Sequence, residues 1–378
     1  MTPESTSHKS IPDESSVSKQ KAIARILSKD ILSGKYPALG QFPSERALMK
    51  RFSVARQTIH QAVQTLRNKG LIFIRRGQGS FVAGRDGGRP LVKIGLIISG
   101  GCHTEIFKVI AEEMDRLARK SKVELVFADC SFRNAVEGGR RTLEAVRKMI
   151  KARVAGLVLQ PVEYSAEAER LNREIMREIE RAKLPLVLLD TDLVQYPKRS
   201  GYDIVGIDNI SAGRQLTQHV RDQGAWSIRF LVNSCYANSV RMRFEAFQLE
   251  TNDHSPSALV DVDPTATAKI ERLLKENPTI NAFICQNDIA AVNLMATLKR
   301  LRKRVPEDIL VAGFDDGKFS RGVKPTLTTV HQPCAEIART AFDRIRQRIA
   351  TPDMPACDLL LSSPLVIRES TLRQRDDA

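Results

Sequence analysis

From Val92 onward the chain alternates short, unbroken apolar runs with amphipathic stretches, a pattern that few folds accept. The runs are VKIGLII (92–98), VELVF (123–127), AGLVL (155–159), PLVLL (185–189), IVGI (204–207), IRFLV (228–232), NAFIC (281–285) and ILVAGF (309–314). A strand with one wet face alternates polar and apolar residues, whereas a strand buried on both faces does not. Helical periodicity fills intervals between the runs, for example at 106–119, 135–151, 209–223, 266–276 and 288–301. Strands alternating with helices build parallel sheets covered on both sides. About 280 residues is long for one such sheet, so the pattern predicts two similar α/β lobes.

The first 90 residues follow another rule. They hold 16 lysines and arginines against 6 acids, while the rest of the chain holds 43 against 38. Under a quarter of the chain thus carries two thirds of the formal charge of +15. A small cationic piece joined to a near-neutral larger one points to a polyanionic partner. Residues 1–18 are polar and serine-rich, the composition of a disordered tail. Residues 19–82 read as one compact unit, and AGRDGGRPL (83–91) reads as a linker. Within the unit, Ile23, Ile26, Leu27 and Ile31 form a helical stripe, and Ser44 caps a second helix after Pro43. After a short turn at Ser53-Val54-Ala55, a third helix runs from Arg56 to Asn68. Ile59, Ala62, Val63 and Leu66 form its apolar side, and Arg56, Gln57, His60, Gln61 and Gln64 its polar side. Apolar segments at 71–75 and 80–82 flank a basic, glycine-rich turn, which makes a hairpin. Helix, turn, helix and hairpin form a winged helix-turn-helix. Its third helix fits the major groove of duplex DNA, where arginine pairs with guanine and glutamine with adenine.

Residues 41–82, QFPSERALMKRFSVARQTIHQAVQTLRNKGLIFIRRGQGSFV, resemble the DNA-binding domain of GntR-family regulators. By that resemblance Arg46 is the basic residue that clamps DNA. Arg56 and Thr58 are the arginine and threonine that open the recognition helix, and Gly79 is the wing-tip glycine. Gln57 and His60 share the recognition face. Two residues depart from the family pattern. Ala55 stands in place of the usual serine, which removes a phosphate-binding or capping hydroxyl. His60 stands where a second arginine is common.

In open α/β sheets, ligands sit beyond the carboxyl ends of the strands. The polar residues just after the apolar runs, namely Ser99, Asp129, Asp190, Asp288, Asp315 and Asp316, are therefore the binding candidates. Carboxylates accept hydroxyl protons, arginine donates in a fixed fork, and a ring such as Phe107 packs the apolar face of a sugar. Residues 92–370 resemble the effector domain of LacI-family regulators, itself similar to periplasmic sugar-binding proteins. The segments VKIGLIISGG (92–101), PLVLLDTD (185–192), VGIDNISAGRQLTQHV (205–220), SVRMRFEAF (239–247), AFICQNDIAAVNLMATLKRL (282–301), ILVAGFDDGKFS (309–320) and KPTLTTVHQP (324–333) carry that resemblance, in order. It implies that Arg243 and Asp288 grip the ligand and that Asp315 lies in the matching aspartate segment, with Arg241 and Asp190 as further candidates. Asp208 and Asn209 are expected to cap a helix, and His219 and His331 to be surface or capping residues. Residues 371–378 read as a tail.

No apolar run reaches the roughly 18 residues of a membrane span. The first residues lack the apolar core of a secretion signal, and the six cysteines form no CxxC pair. These features predict a cytoplasmic protein without a membrane partner. No HExxH, phosphate-loop or GxSxG motif is present, so no enzyme, metal or cofactor is expected. The expected architecture is an N-terminal winged helix-turn-helix followed by a two-lobed, periplasmic-binding-protein-like α/β effector domain. The pairing resembles arabinose-repressor-type regulators, which implies a homodimeric repressor of a double-stranded DNA operator controlled by a small-molecule effector, a sugar. A sugar-binding receptor or a carbohydrate-acting enzyme is the alternative. The basic head weighs against the first, and the missing nucleophile–base pair against the second.

Overall fold

The computed structural model describes residues 16–33, 35–36, 41–69, 71–75, 79–82, 92–99, 105–130, 135–162, 166–233 and 236–373. The expected wing tip at 76–78 and linker at 83–91 lie outside the described residues. The chain divides into two compact units, Met1–Val92 and Lys93–Ala378, called here the head and the body.

The head's first helix, α1 (Ser16–Leu32), starts inside the stretch expected as a tail. It is followed by α2 (Glu45–Phe52) and α3 (Arg56–Asn68). The α2 cap is Ser44, whose side chain accepts from the Ala47 amide at 3.3 Å. Strands β1 (Ile72–Arg75) and β2 (Gly79–Val82) pair antiparallel, Ile72 opposite Val82 and Arg75 opposite Gly79. Ile23, Leu27, Leu48, Ile59, Leu66, Ile72 and Val82 meet in one core. The α1 and α3 stripes thus close on each other and leave the polar side of α3 in water.

The body holds two sheets. Lobe one is built from β3 (Val92–Ser99), α4 (Glu105–Lys120), β4 (Val123–Cys130), α5 (Ala135–Lys151), β5 (Gly156–Gln160), α6 (Ala166–Ala182), β6 (Leu186–Leu189) and β7 (Asp203–Ile207). Lobe two follows with α7 (Asn209–Asp222), β8 (Ile228–Val232), α8 (Asn238–Thr251), β9 (Leu259–Asp261), α9 (Thr267–Glu276), β10 (Ala282–Cys285), α10 (Asp288–Arg300), β11 (Leu310–Asp315), α11 (Lys318–Gly322) and β12 (Thr328–His331). The last elements are α12 (Cys334–Ala350), β13 (Asp358–Leu361) and β14 (Leu365–Val366). Sheet orders are β13-β7-β6-β5-β3-β4 and β14-β12-β11-β10-β8-β9. In each, the first strand lies between the second and the third, so the winding reverses there. That is where such sheets open a crevice at the strands' carboxyl ends.

The chain passes between the lobes three times. It leaves β7 for α7 at Asp208, leaves β12 for α12, which packs on β5 and β6, and leaves β13 for β14. Two of these passages are tied to the third: the Asp208 amide donates to Leu361 O at 3.2 Å and the His331 amide to Pro364 O at 2.9 Å. Three adjacent strands of this kind make a hinge.

The body also runs past the expected end at residue 370. Ser370 and Thr371 are fully buried. Thr371 Oγ1 meets Thr328 Oγ1 at 2.7 Å and His219 Nε2 at 2.8 Å. His219 is therefore buried, contrary to its expected surface position, and burial pushes its pKa down. No helix among the described residues is long and apolar enough to cross a membrane.

Asp203, at the start of β7, is 1% exposed. It accepts from Arg344 Nη2 at 2.8 Å, Arg348 Nε at 2.9 Å and the Cys357 amide at 2.9 Å, which fastens α12 and the approach to β13 onto lobe one. Asp203→Asn leaves two arginines facing a neutral group and is expected to cost about 3–5 kcal/mol in denaturant unfolding. These partners hold the folded Asp203 pKa below its ordinary value. Its contribution is thus full above the ordinary carboxylate range and fades as pH falls through the lowered pKa. Wild type and Asp203→Asn should converge in acid.

Candidate DNA interface and effector cleft

On the head, α3 turns Arg56, Gln57, His60 and Gln61 to the outside, with Thr58 half-buried. Arg46 stands exposed on α2. Gly79 holds φ +98°, a conformation that L side chains rarely adopt, so the wing needs glycine there. Ala55 is the N-cap of α3 and supplies no side-chain cap bond, as its missing hydroxyl predicts. Sequence reasoning missed Glu45. Its carboxylate lies 2.8 Å from His60 Nδ1 and 3.7 Å from Arg56 Nε, so one acid of α2 faces two members of the recognition face. The only sequence signal was an acid in the first turn of α2, which also suits the helix dipole.

In the body, Arg243 on α8 is 3% exposed. Its Nε donates to Asn209 Oδ1 at 2.8 Å and its Nη1 to Gln286 O at 3.0 Å. The guanidinium carbon stands 4.4 Å from the Phe314 ring centroid. Asn209, expected as a cap, is instead the residue that orients the arginine, and Asp208 does the capping, accepting from the Ser211 amide at 2.9 Å. The approach depends on Gly213: a Cβ there would lie 2.8 Å from Arg243 O, so α7 and α8 could not close.

Of the expected carboxylates, Asp315 faces this cation, and Asp190 and Asp288 in turn lie near Asp315. Asp190, Asp288, Asp315 and Asp316 all follow strand ends. Asp190, Asp315 and Asp316 hold positive φ of 67°, 115° and 54°, strain of a kind that collects at binding sites. Burial pushes the Asp315 pKa up, with Arg243 and Gln332 pulling it back and Asp190 adding to the rise. Gln332 Nε2 donates to Asp315 Oδ1 at 2.7 Å. Asp288 lies deeper and is raised further, to about 8, by burial and then by the Asp315 charge. It meets Thr329 Oγ1 at 2.6 Å and accepts from the Gly317 amide at 3.0 Å. The Asp288–Asp315 pair therefore retains a proton near neutrality and offers donor and acceptor capacity together. Asp316 is consumed within lobe two by Arg321, Arg368 and His331.

Asp190 belongs to lobe one, yet it accepts from Ser239 Oγ of lobe two at 2.8 Å. Likewise Glu105 of α4 accepts from the Lys318 amide at 2.8 Å. Beside the Glu105–Lys318 link lies a cavity of ≈ 670 Å³ lined by Ile106 and Val109 on one side and Asp315, His331 and Gln332 on the other. Asp190 and Asn209 line a smaller space of ≈ 90 Å³. The larger volume is in the range of small-ligand sites, about 300–1,000 Å³. Phe107 does not line the cavity: it packs in the core at 6% exposure, and the neighbouring Ile106 and Val109 supply the apolar wall. Arg241 turns to Glu245 on its own helix at 3.0 Å. Ser99 ends β3, and its side chain, like that of Asp129, lies outside the described residues.

Residues 19–82 match the family of bacterial regulatory proteins, gntR family, and residues 217–371 match the periplasmic binding protein-like domain. An arabinose metabolism transcriptional repressor of Halalkalibacterium halodurans is 24% identical over 379 residues, 93% of this chain and 96% of that protein. Among solved structures, the complex of the transcriptional regulator CelR with cellobiose aligns with a TM-score of 0.63 at 19% identity, over 86% of this chain and 94% of that one. A LacI family transcriptional regulator from Enterococcus faecium with bound ribose gives 0.59 at 19% identity, over 74% and 98%.

Asp288→Asn reproduces the protonated carboxyl: its amide donates to Thr329 Oγ1 and its oxygen accepts from Gly317. The folded Asp288 pKa is raised, so the wild type loses stability as pH climbs from about 4 to about 8 and no further beyond. Melting curves should show Asp288→Asn gaining on wild type across that interval and holding the gain above it.

Proposed function

We propose that this chain, a transcriptional regulator joining a GntR-family DNA-binding head to a periplasmic-binding-protein-like body, represses its target genes until a small polyhydroxylated ligand, a sugar, occupies the body's cleft. The observation that carries this reading is the buried Arg243 charge facing Asp315, which Asp190 of the other lobe also approaches. A fixed guanidinium fork and partly protonated carboxyls match the mixed donors and acceptors of a polyol. On the head, Arg46, Arg56, Gln57, Thr58, His60 and Gly79 form the operator-facing set, and Arg243, Asp288, Asp315 and Asp190 the ligand-facing set.

A second copy completes the regulator. Val109 on α4, Phe127 on β4, Ile289 on α10 and Phe319 on α11 stand 39–46% exposed. Val109 lies on the helix of Glu105 and Phe319 beside Lys318, and these two helices are joined by the Glu105–Lys318 bond. A self-complementary apolar face of this sort suits a two-fold dimer, and a dimer places two heads on half-sites one helical turn apart. Closing the lobes changes that spacing. A coupling of about 1–3 kcal/mol moves operator affinity about 5–150-fold.

Arg243→Ala is expected to abolish the response to ligand while leaving operator binding intact. The check is fluorescence anisotropy on the chain's upstream DNA, titrated with a panel of pentoses and hexoses. Wild type unresponsive to every sugar, in anisotropy and in melting temperature alike, defeats the effector reading. Arg56→Ala is expected to cost about 1–3 kcal/mol of sequence-specific binding without changing the affinity for random duplex.

A further inference from the structure

His60 occupies the exposed face of α3, one turn after Arg56, with 56% of its side chain exposed. Its Nδ1 lies 2.8 Å from Glu45 Oε1. Glu45 sits in the first turn of α2. An ionised carboxylate only accepts, so the neutral imidazole carries its one proton on Nδ1. A neutral imidazole has one such proton, and its placement is set by the bond the ring makes. Nε2 is left as a bare lone pair, exposed and without a partner among the described residues. Glu45 is the charged group in contact with the ring and Arg56 the next one, through the same carboxylate, while Gln57 and Gln61 are exposed on the same helix.

In the major groove only two bases display a hydrogen-bond donor, adenine at N6 and cytosine at N4. Guanine displays two acceptors, and thymine an acceptor and a methyl group. We infer that Glu45 and His60 act together as a specificity determinant: Glu45 locks the histidine tautomer, and His60 Nε2 accepts from the exocyclic amine of adenine or cytosine beside the base pair that Arg56 reads. An arginine at this position donates and selects guanine. The histidine in this chain reverses the polarity of the contact and excludes guanine and thymine by lone-pair repulsion. Glu45 is a positioning residue, and its second oxygen lies near Arg56 Nε, at 3.7 Å.

This inference rests on the DNA-binding reading, and its test separates the two. The full-length chain, His60→Arg and Glu45→Ala are each used to select from a pool of randomised duplexes, with melting curves taken for all three. At the position that becomes guanine with His60→Arg, wild type should enrich adenine or cytosine, and the selection itself tells which. Glu45→Ala frees the tautomer and should reduce that enrichment about fivefold, the worth of one hydrogen bond. The salt dependence of binding, set by phosphate contacts, should stay the same. Guanine or thymine at that position in wild type, or no position altered by His60→Arg, overturns the inference. An undiminished preference in a folded Glu45→Ala protein overturns the role of Glu45. If Glu45→Ala does not fold, the His60→Arg comparison decides alone. Failure of wild type to enrich any sequence overturns the DNA-binding reading instead.

Discussion

A buried cation sets the layout of the body. Withdrawing a guanidinium from water is costly unless its protons are used and its charge is answered. Arg243 meets both needs with partners from four places: Asn209 at the start of α7, the Gln286 carbonyl after β10, the Phe314 ring in β11, and the Asp315 charge at that strand's end. Asn209 immediately follows the first passage between the lobes, so the arginine binds that passage to the strand ends of lobe two. The buried charge and the passage between the lobes are thereby tied together, and on the proposed reading a ligand that shifted the guanidinium would act on that passage through a single side chain.

The charges of the two lobes act on each other across the cleft. Asp190 reaches across from lobe one and raises the Asp315 pKa, which means the two carboxyls repel when the lobes approach. Arg243 offsets part of that repulsion, and the Asp190–Ser239 bond gives closure a polar link. On the proposed reading, a polyol inserted between the carboxylates would donate to both and remove the penalty.

The parts of this arrangement that were visible in the sequence share a property: they depend on neighbours close along the chain. The unbroken runs at 92–98, 155–159 and 228–232 became buried strands because a strand covered on both faces has no polar side to show. The stripe Ile59, Ala62, Val63 and Leu66 became the buried side of α3 by the same local logic. Strands β9, β12, β13 and β14 were missed, being only two to four residues long and bearing residues such as Thr328 and Asp358. Glu45, Asn209, Gln332 and Asp203 were not legible as site or anchoring residues, since each acquires its role from a partner brought near only by folding. Asn209 and Arg243 are 34 residues apart, and Asp203 and Arg348 are 145 apart. Phe107 shows the opposite error. Its chemistry suits a sugar, but it shares a helical face with Ile110 and Met114, and that face belongs to the core.

The division of labour between head and body follows from where each unit's core is drawn. The head's apolar core uses residues between Ile23 and Val82 only, so the placement of Arg56, His60 and the wing strands is settled within the head. The contacts that read bases thus have no need of the ligand, and the ligand has no direct means of altering them. In the proposed dimer, what would remain open to control is the separation of two heads on one duplex. DNA enforces that separation with a repeat of one helical turn. On the proposed reading, such a regulator would keep its sequence preference constant while its affinity changes, because the proposed base-reading face and ligand cleft belong to different units of the chain.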